Sequence, residues 1–189
     1  MTAPLMTPAD FEFPAIMLTG AVDYSMYQWF RQCLANAPQQ GLVVVELSTL
    51  GGDPEVARMM GEDIRFHSDI HPERRIVFRG KTAIYSAGAT FMSFFARENR
   101  YLARGTRIMI HERLLTKTIN LEGPLTTCIA SLKAVINEIE ASIAIQNEGF
   151  ANLAVGSSLS PDDIIRRATE NWYLEANEAL ELGLIEAVI

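Results

Sequence analysis

The chain has 189 residues, nearly half of them hydrophobic, with 23 acidic against 16 basic side chains and a net charge of −7. Such a chain buries a core as one domain, 1–189, and is too apolar for disorder. The acidic balance, with no basic stripe interleaved with aromatics, argues against a nucleic-acid partner, and no apolar run reaches the length that spans a bilayer.

Residues 1–14 hold three prolines and little periodicity, and read as an irregular or mobile arm. The start, MTAPLMTPADFEF, has no basic segment followed by an apolar core, so it does not read as a secretion signal; the expected location is cytoplasmic. Ala15–Leu18 reads as a short buried strand. Asp23 caps a predicted helix from Tyr24 to about Ala37, with Tyr27, Phe30 and Leu34 on one face. Leu42–Leu47, LVVVEL, is the strongest strand signal, and its unbroken apolar run suits a parallel sheet buried on both faces.

A turn, Ser48-Thr-Leu-Gly51-Gly52, follows that strand. Asp53 and Pro54 then open a helix that runs to about His67. Paired glycines beside a helix N-terminus leave backbone N–H groups facing outward, donors suited to an oxyanion; the alternative is a tight turn and nothing more. Ile76–Phe78 reads as a strand ending at Gly80. A short link leads to Ser86, which is flanked by Tyr85 and Ala87-Gly88-Ala89, and a helix is predicted over Thr90–Asn99. Arg107–Ile110 is a further strand that ends at His111.

Residues 114–122 have no clear period. Leu125 to about Phe150 is the longest helical pattern, with Leu125, Ile129, Leu132, Val135, Ile136, Ile139 and Ile143 recurring every three or four residues, long enough to serve a partner subunit as well as its own core. Ser160-Pro161-Asp162-Asp163 opens a short helix. Asn171–Leu174 reads as extended, Ala176–Leu182 as a helix, and Leu184–Ile189 as the closing strand. Alternating strands and helices define an α/β fold with a largely parallel sheet.

A serine at a helix start is commonly a cap, and a histidine at a strand end is commonly structural. Here Gly51-Gly52, Ser86 and His111 all sit at the C-terminal side of strands, where the sites of parallel sheets gather. Together they describe oxyanion donors, a nucleophile and its base. His67 and His71 lie four apart, but Pro72 ends the helix, so no metal site is expected there, and no cofactor motif is present. Cys33 and Cys128 lack metal-ligand spacing and read as small buried side chains.

The segments VVELSTLGGD, GKTAIYSAGATF, ARGTRIMIHERL and YLEANEALELGLIEAV, in that order, resemble ClpP, the proteolytic subunit of the Clp protease, within the crotonase-like fold. The resemblance covers about Ala15 to Val188. It implies a ClpP-like fold of repeated strand-helix units with a protruding handle helix, about 112–150. By position it implies Ser86 as nucleophile, His111 as general base, and Gly52 and Ala87 as oxyanion-hole donors. It further implies self-association into heptameric rings that stack, an AAA+ unfoldase as partner, and a polypeptide substrate. The acid of the family's triad corresponds to Asn171, which is able to orient the histidine ring but not to offset its charge. Glu170 would serve only if the strand slipped by one residue, which reverses its side chain. The family's Ser-Pro-Gly-Gly turn is Thr49-Leu50-Gly51-Gly52, its proline after the histidine pair is Arg113, and its Gly-rich handle strand is replaced by Leu114–Asn120. The expected activity is a serine endopeptidase with a Ser-His-Asn triad. The alternatives are a weakly active or non-catalytic subunit that assembles with an active paralogue, and a crotonase-type acyl-CoA enzyme.

Overall fold

The computed structural model describes residues 6–189, so residues 1–5 of the predicted arm lie outside the described residues. The described residues hold seven strands and six α-helices, which alternate along much of the chain. The strands are β1 (Ile16–Thr19), β2 (Gly41–Thr49), β3 (Arg74–Tyr85), β4 (Arg100–Leu102), β5 (Arg107–Ile110), β6 (Trp172–Glu175) and β7 (Ala187–Val188). The helices are α1 (Tyr24–Asn36), α2 (Pro54–Ile70), α3 (Ala87–Met92), α4 (Leu125–Ala154), α5 (Pro161–Ala168) and α6 (Ala176–Glu181). The expected α/β fold is present, and all pairings are parallel except β5 with β6.

The sheet divides along β3. Its first half pairs with β2 and, at Phe78–Gly80, with β4. Its second half, Ala83–Tyr85, pairs with β5, which carries β6 on its far edge. Between the halves Thr82 takes a φ of +66°, and the β2–β3 register shifts between Leu47 and Thr49. The sequence reading ended this strand at Gly80, because a glycine inside a strand marks a break or a close approach. The reason here is close approach: a Cβ on Gly80 would lie 2.4 Å from a Leu102 methyl carbon.

Helix starts obey the local chemistry. Asp23 Oδ1 accepts the Met26 N–H at 2.9 Å, Asp53 Oδ1 accepts the Glu55 N–H at 2.8 Å, and Ser160 with Asp163 forms a reciprocal capping box. The helix predicted over Thr90–Asn99 is instead the shorter α3, a turn, a 3-10 helix at Arg97–Asn99 and then β4. Arg100 is the cause. Its side chain is 2% exposed, and its guanidinium donates to the carbonyls of Ser93, Phe95, Asn152, Leu153 and Leu184. These bonds hold the chain after α3 in a non-helical path and close the C-terminal turn of α4, whose last carbonyls have no partner within the helix.

The main core lies between the sheet and α1, α2, α3 and α5, with Phe30, Phe78 and Phe91 fully buried. A smaller cluster of Phe11, Val44, Val77 and Tyr101 sits apart from it. Within the arm, Pro8–Phe11 is a 3-10 helix where irregular chain was expected, and the Phe11 ring packs on Tyr101 at 4.9 Å between centroids. The closing strand is shorter than expected, only Ala187–Val188. Among the described residues no helix is long and apolar enough to cross a membrane.

α4 leaves the body of the molecule. Its C-terminal end, at Phe150 and Leu153, is in the core, whereas the apolar stripe before it faces outward: Ile129 is 55% exposed and Ile136 51%. The segment from His111 to Pro124 has no regular structure and is held to α4 by a Lys117–Glu138 ion pair and by the Arg113 N–H, which donates to Gln146 Oε1 at 2.6 Å.

Candidate active site

The second half of β3 ends at Tyr85 and delivers Ser86 at the start of α3. Ser86 takes φ +54° and ψ −113°, a conformation costly for a residue with a Cβ and one that marks functional positions when the surroundings enforce it. Two backbone bonds enforce it here: the Ser86 N–H donates to the Met109 carbonyl at 2.8 Å, and its carbonyl accepts from Thr90 at 3.1 Å. α3 is able to lie this close to β2 because its first residues are small. A Cβ on Gly88 would stand 2.5 Å from Thr49 Cγ2.

The bond to Met109 ties the serine to β5, and two residues further on β5 runs out into His111. There His111 Nε2 lies 2.7 Å from Ser86 Oγ. With the ring proton on Nδ1, the hydroxyl donates to Nε2, the arrangement in which an imidazole removes the proton of an attacking oxygen. Both side chains are half-buried.

Gly52 lies beside this pair at the end of the β2 turn. Its φ is +151°, and a Cβ there would stand 2.3 Å from the Val22 carbonyl oxygen. Val22 is held by the residues on either side: its N–H donates to Gly51 at 2.9 Å, and its carbonyl accepts from Asp53 at 2.7 Å. The Gly52 N–H takes no part in that bridge. The Ala87 N–H, in the first turn of α3, has no acceptor within its own helix. Thr49 shapes the turn, its hydroxyl accepting the Gly51 N–H at 3.0 Å.

Asn171 precedes β6. Because Ile110 pairs with Trp172, it falls opposite His111 in the antiparallel register. It takes φ +54°, is exposed, and directs its N–H to the Ala168 carbonyl, which also accepts from Glu112. Among the described residues no hydrogen bond joins its side chain to His111. The structure thus brings Ser86 and His111 into contact, sets Gly52 and Ala87 beside them, and leaves Asn171 adjacent but unengaged.

A cavity of about 390 Å³ opens over the pair, lined by Gly52, Ser86, Ala87 and His111 on one side and by Ile143 and Phe150 of α4 on the other. Arg113 also lines it, a residue that the sequence reading noted only as a departure from the family pattern. Its Nη1 donates to Glu55 at 2.7 Å, and Glu55 is shared with Arg58, which reaches Glu148 of α4 at 3.3 Å. Burial pushes the Glu55 carboxyl up, but the Arg113 and Arg58 guanidinium groups outweigh it and hold it below the usual carboxylate range.

Of the two histidines considered for a metal, His67 lies in the last turn of α2 and His71 is the cap after it; their rings stack at 5.9 Å between centroids, and His71 Nδ1 lies 3.2 Å from Glu73. Among the described residues no group of three or more His, Cys, Asp or Glu side chains is placed to hold a metal ion. Both cysteines are free thiols and only half-buried, less than expected.

No family model matches the sequence. The chain is similar to ATP-dependent Clp protease proteolytic subunit 2 of Pseudomonas aeruginosa, with 24% identity over 177 residues that cover 92% of this chain and 80% of that one. Among solved structures it resembles ClpP1 from Listeria monocytogenes, in a variant carrying one asparagine-to-aspartate replacement, with a TM-score of 0.70, 18% identity, and 92% of this chain and 90% of that chain covered. The class is therefore that of the ClpP fold, with strand-helix units and a projecting helix. Sequence and structure agree in making this chain ClpP-like, as the quoted segments implied.

Proposed function

We propose that this chain is a serine-type endopeptidase subunit of a self-compartmentalised, Clp-like protease. The observation that carries the reading is the 2.7 Å contact between Ser86 Oγ and His111 Nε2 at a strained serine beneath a cavity. In this mechanism Ser86 attacks a peptide carbonyl carbon while His111 takes the hydroxyl proton on Nε2. The Gly52 and Ala87 N–H groups receive the oxyanion of the tetrahedral intermediate. His111 then protonates the leaving amine, and water attacks the acyl-serine with His111 again as base. Asn171 orients the ring by accepting a hydrogen bond from the Nδ1–H through its Oδ1, which requires its side chain to turn toward His111 from its exposed position.

The exposed apolar stripe on α4 supports assembly through this helix, and the likeness to a Clp proteolytic subunit supports rings, heptameric in this proposal, fed by an AAA+ unfoldase in the cytoplasm. The test is labelling by a fluorophosphonate probe together with cleavage of fluorogenic peptides. Wild type labels at Ser86 and cleaves. Ser86→Ala does neither. Asn171→Asp turns over at least as fast as wild type, with a ceiling of about 10⁴-fold set by the reverse change in a related triad. Wild type that neither labels nor cleaves, with or without an unfoldase, refutes the reading.

The disengaged Asn171 favours one second reading, a weakly active subunit that works beside an active paralogue. Under it, labelling of Ser86 rises only when that paralogue is added.

A further inference from the structure

Arg113 lines the cavity over Ser86 and His111 with part of its hydrogen-bonding capacity unused. Nη1 is held by Glu55, and the backbone N–H by Gln146, so the side chain is fixed from both ends. Nη2 is buried, yet among the described residues it has no hydrogen-bond partner. A buried donor of a charged group without an acceptor is costly, and a ligand that supplies an acceptor removes that cost. The walls around it are largely aliphatic, including Leu114, Ile139 and Ile143. Among the cavity's described residues Arg113 is the sole arginine or lysine, and Glu112 the sole carboxylate. The four charges of Glu55, Arg58, Arg113 and Glu148 balance, so what Arg113 offers is a directed N–H more than a bare charge.

The geometry points to Arg113 as a specificity-determining residue, whose guanidinium pivots about its bond to Glu55 to uncover Nη2 for a substrate side chain that ends in an oxygen acceptor, a carboxamide or carboxylate, within an otherwise apolar cleft. This rests on the peptidase reading for its meaning but not for its test. Glutamine and glutamate share the required chemistry and differ in charge. Glu112 in the same cavity and the paired Glu55 both disfavour added negative charge, so glutamine equals or exceeds glutamate.

The experiment measures binding of N-terminally fluorescent hexapeptides to the Ser86→Ala protein by anisotropy, each position in turn carrying Gln, Glu or Met in an alanine background. At one position the Gln peptide binds about tenfold tighter than the near-isosteric Met peptide, the effect of one hydrogen bond to a charged donor. In Ser86→Ala/Arg113→Met that preference disappears. In Ser86→Ala/Glu55→Gln, which keeps Arg113 and frees its charge, the Glu peptide gains on the Gln peptide. A thermal melt shows that each variant is folded. Should Met bind as well as Gln at every position, or the preference survive Arg113→Met in a folded protein, or no peptide bind saturably, the assignment is overturned. Because binding needs no turnover, a selective cleft with no fluorophosphonate labelling of wild type rejects the peptidase and keeps the subsite, and labelling without selectivity does the reverse.

Discussion

Replacing Arg100 by Met tests how the head and the projecting helix are joined. The change keeps most of the side-chain volume and removes five donor contacts. Two are short, Nε to the Phe95 carbonyl at 2.8 Å and Nη2 to the Asn152 carbonyl at 2.9 Å, and three are longer, at 3.2, 3.3 and 3.4 Å. At about 2 kcal/mol for each short bond and about 1 kcal/mol for each longer one, the variant forfeits about 7 kcal/mol. Against this stands the cost of the buried charge. Burial, the main influence, lowers the guanidinium from its ordinary value to about 10, equivalent to about 3 kcal/mol. The folded-state value lies below the unfolded one, so that cost is fully present at neutral pH and is relieved only as pH rises above 10. The net loss is about 4 kcal/mol, a large share of a domain's stability. In urea, followed by tryptophan fluorescence at fixed protein concentration, the midpoint falls by about 1.5 M with little change in slope. A shift worth under about 1 kcal/mol would mean that water satisfies those carbonyls, and would refute the account.

Gly52→Ala places a methyl group 2.3 Å from the Val22 carbonyl oxygen; moving that turn displaces the N–H proposed as an oxyanion donor, and under that proposal kcat for peptides drops by about 100-fold or more, measured by steady-state kinetics beside a thermal melt. His67 is held below its ordinary value by burial first and Arg74 second. Its neutral form is favoured on folding, so stability is full above the unfolded value of 6.5 and declines as pH falls below it. His67→Leu flattens that slope in chemical denaturation repeated between about pH 7 and 5. Ile129→Asp with Ile136→Asp charges the exposed stripe of α4 and shifts sedimentation toward smaller species while circular dichroism stays native; an unchanged distribution would place the contact elsewhere.

Much of the architecture could be read because apolar period and cap chemistry are local. LVVVEL marked β2 by its unbroken apolar run, and Asp23, Asp53 and Ser160 marked helix starts that the backbone uses. The errors have a common origin in long-range bonds. Gly80 looked like a strand end because the contact that excludes its Cβ comes from Leu102, 22 positions away. The run after Met92 looked helical because Arg100, which turns it, is anchored by the distant carbonyls of Asn152, Leu153 and Leu184. The pairing of Ser86 with His111 was legible only as a pattern of strand ends, since no spacing encodes a 2.7 Å contact. Arg113 gave no such signal: its partners Glu55 and Gln146 lie 58 and 33 residues away. Asn171 was placed by register alone, and register set it opposite His111 without fixing which way its side chain turns.

The divided pairing of β3 means that side-chain direction is set twice along one strand, once by β2 and β4 and again by β5, with Thr49 of β2 opposite Ile84. An extra residue near Thr82 would leave the lower ladder and its packed aromatics as they are, yet it would invert every position beyond the kink. The hydroxyl would then point away from the imidazole, and Ile84, fully buried in the main core, would be turned out of it. The aim of the serine and the filling of the core are thus tied together in the few residues beyond the kink, because Ile84 and Ala87 are buried on either side of the Tyr85–Ser86 pair.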